Sequence, residues 1–248
     1  MTTSLKTKEE LEIMRRAGRI VSKLLKLMGS EVKPGVTTAR LDEAAEAFIR
    51  SEGALPAFKG YYGYPASICA SVNEEVVHGI PGPKVLKEGD IVGIDVGVKL
   101  DGFYSDAART FAVGNVDAES LRLIEATREA MKQGIRQAVE GNRLGDISWA
   151  IQQSAEKQGF SVVRDYVGHG IGKNLHEEPQ VPNFGLPNQG PRLVEGMALA
   201  IEPMLNVGGY EVEVLKDGWT VVTKDRKRSG NFEQTIFVGK LKPEVVTE

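Results

Sequence analysis

Apolar residues recur at helical spacing in four stretches of the chain, and each stretch has boundary residues typical of a helix. A capping-box pattern at Thr7-Lys8-Glu9-Glu10 precedes the first stripe, which comprises Leu11, Met14, Val21, Leu24, Leu25 and Met28. The second stripe ends before Gly53 and comprises Leu41, Ala44, Ala45, Phe48 and Ile49. Asp117 is placed to cap a third helix, which carries Leu121, Ile124, Met131, Ile135 and Ala138. The fourth stripe ends before Gly159 and comprises Ile147, Ala150, Ile151, Ser154 and Ala155.

Six shorter runs, most of them rich in β-branched or aromatic residues, predict β-strands. They cover residues 68–72, 91–98, 103–113, 197–201, 219–222 and 235–238. Helices and strands alternate, but several strands are joined by short turns such as 99–102. This order favours an α/β (α+β) fold with an antiparallel or mixed sheet and helices on one face.

The second and fourth helices belong to a weak internal duplication. Their apolar residues differ by a constant offset (147 − 41 = 106), and Gly35 and Gly141 share it. After one inserted residue the alignment continues through three further matches: Tyr62-Gly63 with His169-Gly170, Leu86 with Leu193, and Asp95 with Glu202. We therefore predict one domain over residues 1–248, made of two α/β halves related by a pseudo-two-fold axis, about 7–115 and 116–240.

Composition restricts the setting in which the protein works. The 248 residues are 41% apolar and 26% charged, and the net charge is 31 − 34 = −3, which gives no reason to expect nucleic acid or an acidic membrane as partner. No apolar run is long enough to span a bilayer, and residues 1–12 lack a signal-peptide pattern. The single cysteine, Cys69, permits no intramolecular disulfide. We expect a cytoplasmic protein, and without an association motif we expect a monomer.

Two carboxylates stand at equivalent ends of apolar strands. Asp95 and Glu202 each follow such a run, so an ionised side chain there needs a partner. Either residue alone could form a salt bridge or a strand-end cap, but a two-fold axis would bring both to one central spot. Asp106 lies on the strand after the turn that follows Asp95, and Glu233 heads a further β-branched run.

The three histidines, His78, His169 and His176, occur in motif-like settings, and two of them lie in glycine- and proline-rich loops, which favours a functional role. Four clustered carboxylates raise one another's pKa unless positive charge is present. Two divalent cations would balance them, and a neutral imidazole from His169 would complete a site suited to Mn, Fe, Co, Zn or Mg. Paired metal ions can activate a water nucleophile and stabilise an oxyanion.

Together these residues closely resemble the type I methionine aminopeptidases of peptidase family M24. The likeness extends from about residue 7 to 238, and its specificity lies in the combination of motifs in order rather than in any single one. The motifs are Ile94-Asp95-Val96-Gly97, Tyr104-Ser105-Asp106, Gly168-His169-Gly170-Ile171-Gly172, His176-Glu177-Glu178-Pro179, Ile201-Glu202-Pro203 and Phe232-Glu233.

The resemblance implies the duplicated "pita-bread" fold and a two-metal site between its halves. Asp95 would bind one metal ion bidentately, Asp106 and Glu233 would bridge both, and His169 and Glu202 would complete the second. The metal ions would be Co, Mn, Fe, Zn or Ni. A metal-activated hydroxide would attack the first peptide bond, with Glu202 relaying the proton.

The resemblance also assigns residues to the substrate. His176 would lie near the scissile carbonyl and His78 near the peptide nitrogen. The methionine pocket would be lined by Tyr61, Tyr64, Cys69, Trp219 and Phe58. Thioether sulfur packs well against aromatic rings, although core packing explains Cys69 equally well.

Two residues depart from the family pattern, and the family implies one further site. Phe58 stands where many bacterial members have cysteine, and Gln234 stands where some have histidine. The family also has a monovalent-cation site, which would lie near Asn73, Glu75 and Ser229.

The implied function is removal of the initiator methionine from nascent proteins, with a small second residue preferred. Work close to the ribosome would suit such a substrate, although no basic patch argues for it. Two alternatives remain at this point. The first is a proline-directed aminopeptidase or prolidase of the same fold. The second is an inactive pita-bread protein that only binds peptides or partners, and such proteins usually lack some of the ligands.

Overall fold

A computed structural model describes residues 4–248 of the chain. The helices are α1 Lys8–Glu31, α2 Thr38–Ser51, α3 Ala118–Arg136 and α4 Leu144–Lys157, with a short 3-10 turn at Tyr61–Gly63. The strands are β1 Leu55–Pro56, β2 Ile68–Val72, β3 Glu75–Val77, β4 Ile91–Leu100, β5 Phe103–Ala112, β6 Ser161–Val162, β7 Gly168–Gly170, β8 Glu177–Val181, β9 Ala198–Ile201, β10 Met204–Asn206, β11 Val212–Val214, β12 Val221–Thr223, β13 Ser229–Asn231, β14 Gln234–Phe237 and β15 Glu244–Val245. Of the described helices, none is long and apolar enough to cross a membrane.

The helices begin where their caps predict. The Thr7 hydroxyl accepts the backbone N–H of Glu10, and the Glu10 carboxylate accepts the backbone N–H of Thr7 at 2.9 Å. Asp117 caps α3 through the N–H of Ser120. Leu121 lies in α3 as predicted, although it is 54% exposed, whereas the placement of Ala138 in this helix is wrong because α3 ends at Arg136.

The predicted strands appear within about two residues of their expected bounds, and the paired strands run antiparallel, as expected for short turns. The fifteen strands given above form four sheets, with strand orders β1-β4-β2 (β5 also pairing with β4), β13-β10-β6, β11-β12-β3 and β15-β14-β9-β7-β8. The longest ladder joins β4 to β5 through a tight turn at Asp101 and Gly102. Both residues there have positive φ, which a two-residue hairpin turn of this kind requires.

Equivalent hydrogen bonds in the two halves confirm the internal duplication. Gly35 donates its N–H to the carbonyl of Leu86, and Gly141 donates to the carbonyl of Leu193, at 2.8 and 3.0 Å. The two glycines have φ of 90° and 92°, so both turns need a residue without a Cβ. The offset read from the sequence therefore corresponds to repeated backbone geometry.

One part of the predicted alignment is wrong, because Tyr62 is not the counterpart of His169. In the ladder between β7 and β9, His169 lies opposite Ala200. The equivalent of Ala200 in the first half is Gly93, which lies opposite Ser71 on β2. The connections between helix and strand differ in length in the two halves, so a constant offset fails between them.

Each pair of helices packs on its own strands. Apolar side chains from α1 and α2 meet those of β2 and β4 in one core, and side chains from α3 and α4 meet those of β9 and β14 in another. On β4 the core residues are the even-numbered Val92, Ile94, Val96 and Val98. Successive side chains of a strand face opposite ways, so the odd-numbered residues face away from the helices. That opposite face carries the candidate site.

Candidate active site

The β4–β5 hairpin places two aspartates on the face turned away from the helices. Asp95 lies opposite Ala108, and Asp106 lies opposite Gly97, so the two acids are diagonal neighbours on one face. Their direct partners are small, which leaves open space above the strands. Glu233 joins them because its N–H donates to the carbonyl of Ala108 at 2.9 Å.

The second half contributes Glu202 and His169 to the same place. Glu202 directly follows Ile201, the last residue of β9, and the ladder partner of Ile201 is Gln234, which directly follows Glu233. The Nε2 of His169 is 3.5 Å from the Glu202 Oε1 and 3.7 Å from the Asp106 Oδ2. Ligand atoms of Asp106, His169 and Glu233 all lie within 4.8 Å of one another. A carboxylate–imidazole cluster thus spans both halves.

The ring of His169 is held in one orientation by its own strand. Its Nδ1 is 2.9 Å from the carbonyl oxygen of Gly170. A carbonyl can only accept, so Nδ1 carries the proton and Nε2 presents a lone pair to the carboxylates. Burial lowers the pKa of His169 to about 4, which keeps the ring neutral near pH 7. A neutral imidazole with a free Nε2 is suited to bind a metal ion.

The four carboxylates are electrostatically unfavourable as ions without added positive charge. Burial is the main cause, and it raises the pKa of Asp106 to about 6. Burial together with the negative charge of neighbouring acids raises the pKa of Asp95, Glu202 and Glu233 well above the usual range. Each acid is therefore unfavourable as an anion unless a cation lies between them.

The described residues supply no such cation. Among residues 4–248, no lysine or arginine lies within 4 Å of these acids, and their only salt-bridge contacts are to the neutral His169. The Oδ1 of Asp95 is buried and has no hydrogen-bond partner among residues 4–248. Four carboxylates carry −4, which two divalent cations would balance. The donor set therefore fits a two-metal site, because hard oxygen ligands and one imidazole suit such ions.

A cavity of about 280 Å³ opens directly above the cluster. All the predicted ligands and substrate residues line it, namely Phe58, Tyr61, Tyr64, Cys69, His78, Asp95, Asp106, His169, His176, Glu202, Trp219 and Glu233. The structure thus brings together every predicted metal ligand and substrate residue, while their individual roles remain predictions.

The mouth of the cavity is formed by His176 and Tyr61. The Nδ1 of His176 is 2.8 Å from the Tyr61 hydroxyl, and the ring centroids of His176 and His169 are 4.3 Å apart. His176 is exposed, so its Nε2 is available to a ligand that enters. His78 lies deeper, edge-on to Tyr166 at 5.6 Å between centroids. Burial, with a smaller contribution from His176, lowers the pKa of His78 to about 4.

The inner wall of the cavity is aromatic and apolar. Trp219 packs edge-on against Tyr64 with ring centroids 5.1 Å apart. The Tyr64 hydroxyl lies 3.1 and 3.0 Å from the carbonyls of Ile68 and Gly79, which fixes the ring. Cys69 lies opposite Asp95 on the neighbouring strand, so its thiol lines the cavity beside the acids.

Phe58 closes the wall over Gly97. A Cβ on that glycine would lie 2.7 Å from the Phe58 ring, which is closer than van der Waals contact allows. The Phe58 ring therefore packs directly against the β4 backbone at Gly97, where it lines the cavity.

Several lining residues were not identified from the sequence: Tyr62, Val77, Tyr166, Val167 and Leu175. Four of them directly precede or follow a predicted site residue or motif, and this adjacency was the available signal. The predicted monovalent-cation site remains a prediction. The Asn73 Oδ1 accepts the N–H of Ile91, and the Glu75 Oε2 accepts the N–H of Val72, so both side-chain oxygens already have partners.

Four acids, two of them buried and two half-buried, together with an imidazole between two similar α/β halves, define a metal-dependent hydrolase of the pita-bread class. The chain belongs to metallopeptidase family M24, whose model matches residues 12–240. Within it the chain groups with the methionine aminopeptidases. It is 56% identical to the "Methionine aminopeptidase" of Clostridium perfringens over 98% of both chains, and 54% identical to "Methionine aminopeptidase 1" of Bacillus subtilis over 94% of both. The crystal structure of methionine aminopeptidase from Rickettsia prowazekii superposes with a TM-score of 0.98 over 100% of both chains, at 46% identity.

Proposed function

We propose that this enzyme removes the N-terminal initiator methionine from newly made proteins, using two divalent cations held by the buried acid cluster. The observation that carries the proposal is a set of four buried or half-buried carboxylates, which meets no lysine or arginine among the described residues and lies at the floor of an aromatic cavity. The close relatives named methionine aminopeptidases support methionine as the residue removed. They also favour this function over a proline-directed one.

We assign the ligands from the likeness to the family and from their places in the cluster. Asp106 and Glu233 would hold the ions at its centre, where their ligand atoms lie within 4.8 Å of that of His169. Asp95 would hold one ion, and its unpartnered Oδ1 is the oxygen available for it. His169 and Glu202 would complete the other. Co, Mn, Fe, Zn and Ni all suit this donor set. When bound, such ions lower the pKa of water and stabilise negative charge on a substrate carbonyl.

The remaining polar groups act on the substrate and its protons. Glu202 borders the cavity, and burial raises the pKa of its carboxyl, so it can take up and release a proton during the reaction. The Tyr61 hydroxyl can donate to the Nδ1 of His176, which leaves the protonated Nε2 to donate to the scissile carbonyl. His78 is neutral near pH 7 and lies within the cavity, where it can contact the peptide nitrogen.

The methionine side chain would occupy the aromatic wall. Tyr64, Trp219 and Phe58 present ring faces and edges, and Cys69 adds a polarizable sulfur. These groups suit a flexible thioether. A side chain held this deeply brings the second residue close to the metal ions, so a small second residue fits best.

Other parts of the proposal rest on composition and likeness. We place the enzyme in the cytoplasm, as a monomer with a single catalytic domain, and a monovalent cation would bind near Asn73, Glu75 and Ser229. Because two of those side chains already have hydrogen-bond partners, backbone carbonyls would supply most of its ligands. Proximity to the ribosome would follow from the substrate.

The test is turnover of Met-X-Ser peptides with X of increasing size, in Mn²⁺ or Co²⁺, with Ala-Pro-Ser as the comparison peptide. We expect release of free methionine, fastest with Ala or Gly as X. Cleavage of Ala-Pro-Ser alone would replace the proposal by a proline-directed activity. Binding of fewer than about one metal equivalent, with no turnover, would identify an inactive binding protein instead.

A further inference from the structure

A lysine just before α1 is buried in an unusual position. Lys6 is only 9% exposed, whereas lysines are almost never buried unless paired. Its backbone N–H donates to the carbonyl of Gly196 at 3.0 Å, so the segment leading into α1 crosses onto the second half of the fold. The side chain then extends toward the loop between β7 and β8.

Lys6 forms an ion pair with Glu177, the residue that follows His176. Its Nζ lies 2.7 Å from the Glu177 Oε2 and 3.0 Å from the carbonyl of Ser4. The other oxygen of Glu177 accepts the N–H of Asn174 at 3.0 Å. The Glu177 carboxylate therefore makes one contact within the loop that carries His176, to Asn174, and one contact to the N-terminal segment, to Lys6.

The stem of Lys6 also packs against the start of that loop. A Cβ on Gly172 would lie 2.3 Å from the Lys6 Cε and 2.9 Å from the Glu177 Oε1. The Gly172 carbonyl accepts the N–H of Tyr104 at 2.8 Å. The loop is thus held between β5 on one side and the lysine on the other, with His176 at its exposed end.

We propose that Lys6 is a positioning residue for the reaction, which acts through Glu177 to hold His176 at the cavity mouth. The inference rests on the proposed role of His176 at the scissile carbonyl. Removing one partner of a buried ion pair leaves an uncompensated charge, so Glu177 would move toward water and take the loop with it. A displacement of about 1 Å at a group that contacts the reacting atoms costs about 100-fold in rate.

The primary test compares Lys6→Met with Lys173→Met in the full chain loaded with Mn²⁺. Lys173 lies in the same loop and also pairs with a glutamate, Glu10 at 3.0 Å, but its side chain is 68% exposed. We expect Lys6→Met to lower kcat on Met-Ala-Ser by about 10- to 100-fold with KM changed less than about threefold. Lys173→Met should change neither by more than about twofold.

Glu177→Gln provides a second variant, because it keeps the size of the side chain and removes its charge. We expect the same loss of kcat as in Lys6→Met. The variant that combines both substitutions should show no further loss, because each substitution breaks the same Lys6–Glu177 ion pair. A wild-type kcat in both single variants would overturn the inference, as would a loss that appears mainly in KM. If Lys6→Met does not fold, the kcat of Glu177→Gln alone decides.

The His176→Ala background separates this inference from the proposed function. If His176→Ala retains wild-type turnover, the assigned role of His176 fails and the positioning role fails with it. If His176→Ala loses turnover, adding Lys6→Met should lower the residual kcat by less than about twofold. A full additional loss would mean that Lys6 acts elsewhere in the site, and that result would overturn the inference while leaving the proposed function standing.

Discussion

The hydroxyl of Thr235 is the most specific support that the fold gives to a predicted metal ligand. It accepts the N–H of Asp106 at 3.1 Å, and its proton lies between the Asp106 carbonyl at 2.8 Å and the Asp106 Oδ1 at 3.1 Å. Thr235 is fully buried, so water cannot replace these bonds. Thr235→Val keeps the shape of the side chain and removes the hydroxyl.

Two separate losses follow from this substitution. The Asp106 N–H becomes a buried donor without a partner, which costs about 1–3 kcal/mol of stability. The carboxylate also loses the group that orients it, and losing such a contact typically weakens metal binding by about 10- to 100-fold. At about 1.4 kcal/mol per factor of ten, the second loss is about 1.4–2.8 kcal/mol of binding free energy.

Thr110 on β5 offers a matched control that separates the two losses. Its hydroxyl accepts the N–H of Asn231 at 2.9 Å and donates to the Asn231 carbonyl at 2.8 Å, and no carboxylate is involved. Thr110→Val should therefore cost a similar amount of stability and leave metal affinity unchanged. Urea denaturation of the metal-free proteins measures the first quantity, and calorimetric titration with Mn²⁺ measures the second. Equal Mn²⁺ affinities for the two variants would refute the reasoning, because Asp106 would then need no support from Thr235.

Four further outcomes test the site. His169→Ala should lower Met-Ala-Ser turnover by at least about 100-fold with little change in circular dichroism, because it removes the only nitrogen ligand; retained turnover would show that His169 is no ligand. Glu202→Gln should bind Mn²⁺ in calorimetry yet lose most of kcat, and a near-normal rate would refute the proton relay. Gly97→Ala should raise KM for methionine peptides more than it lowers kcat in steady-state assays, because the new Cβ displaces Phe58; an unchanged KM would contradict the pocket assignment. Carboxyl groups with a raised pKa hold protons in the metal-free protein, and a bound metal ion displaces these protons, so Mn²⁺ binding should release more protons at about pH 6.5 than at about pH 8.5. Calorimetry in buffers of different ionisation enthalpy measures the number of protons released. No release at either pH would mean that the acids are already ionised without metal.

Local patterns predicted the elements that carry the site. The capping box at Thr7 predicted the start of α1, and the apolar run that leads to Asp95 predicted β4. These signals act over a few residues, so the sequence records them directly. The alignment of Tyr62 with His169 failed because strand register depends on loop lengths outside the repeated elements.

The contacts that hold the site in place join residues far apart in the chain. The Lys6–Glu177 pair is separated by 171 residues, and the Thr235–Asp106 contact by 129. Neither residue type is unusual, since threonines and lysines are frequent on surfaces. Only the packed structure shows that these particular side chains are buried, so their roles could not have been inferred from one sequence.

Two structural explanations for the clustered acids, a salt bridge and a strand-end cap, do not agree with their contacts. A salt bridge would require a lysine or arginine beside Asp95 or Glu202, and none lies within 4 Å in the part of the chain described. A strand-end cap would require hydrogen bonds to the Asp95 Oδ1, for which residues 4–248 provide no partner. Elsewhere the chain pairs its buried charge, as at Lys6 and Glu177. Lys6 and Glu177 balance each other's charge, whereas the four clustered acids meet no lysine or arginine among the described residues. Burial without positive charge is unfavourable for every acid in the cluster, so we infer that divalent cations occupy the space between them.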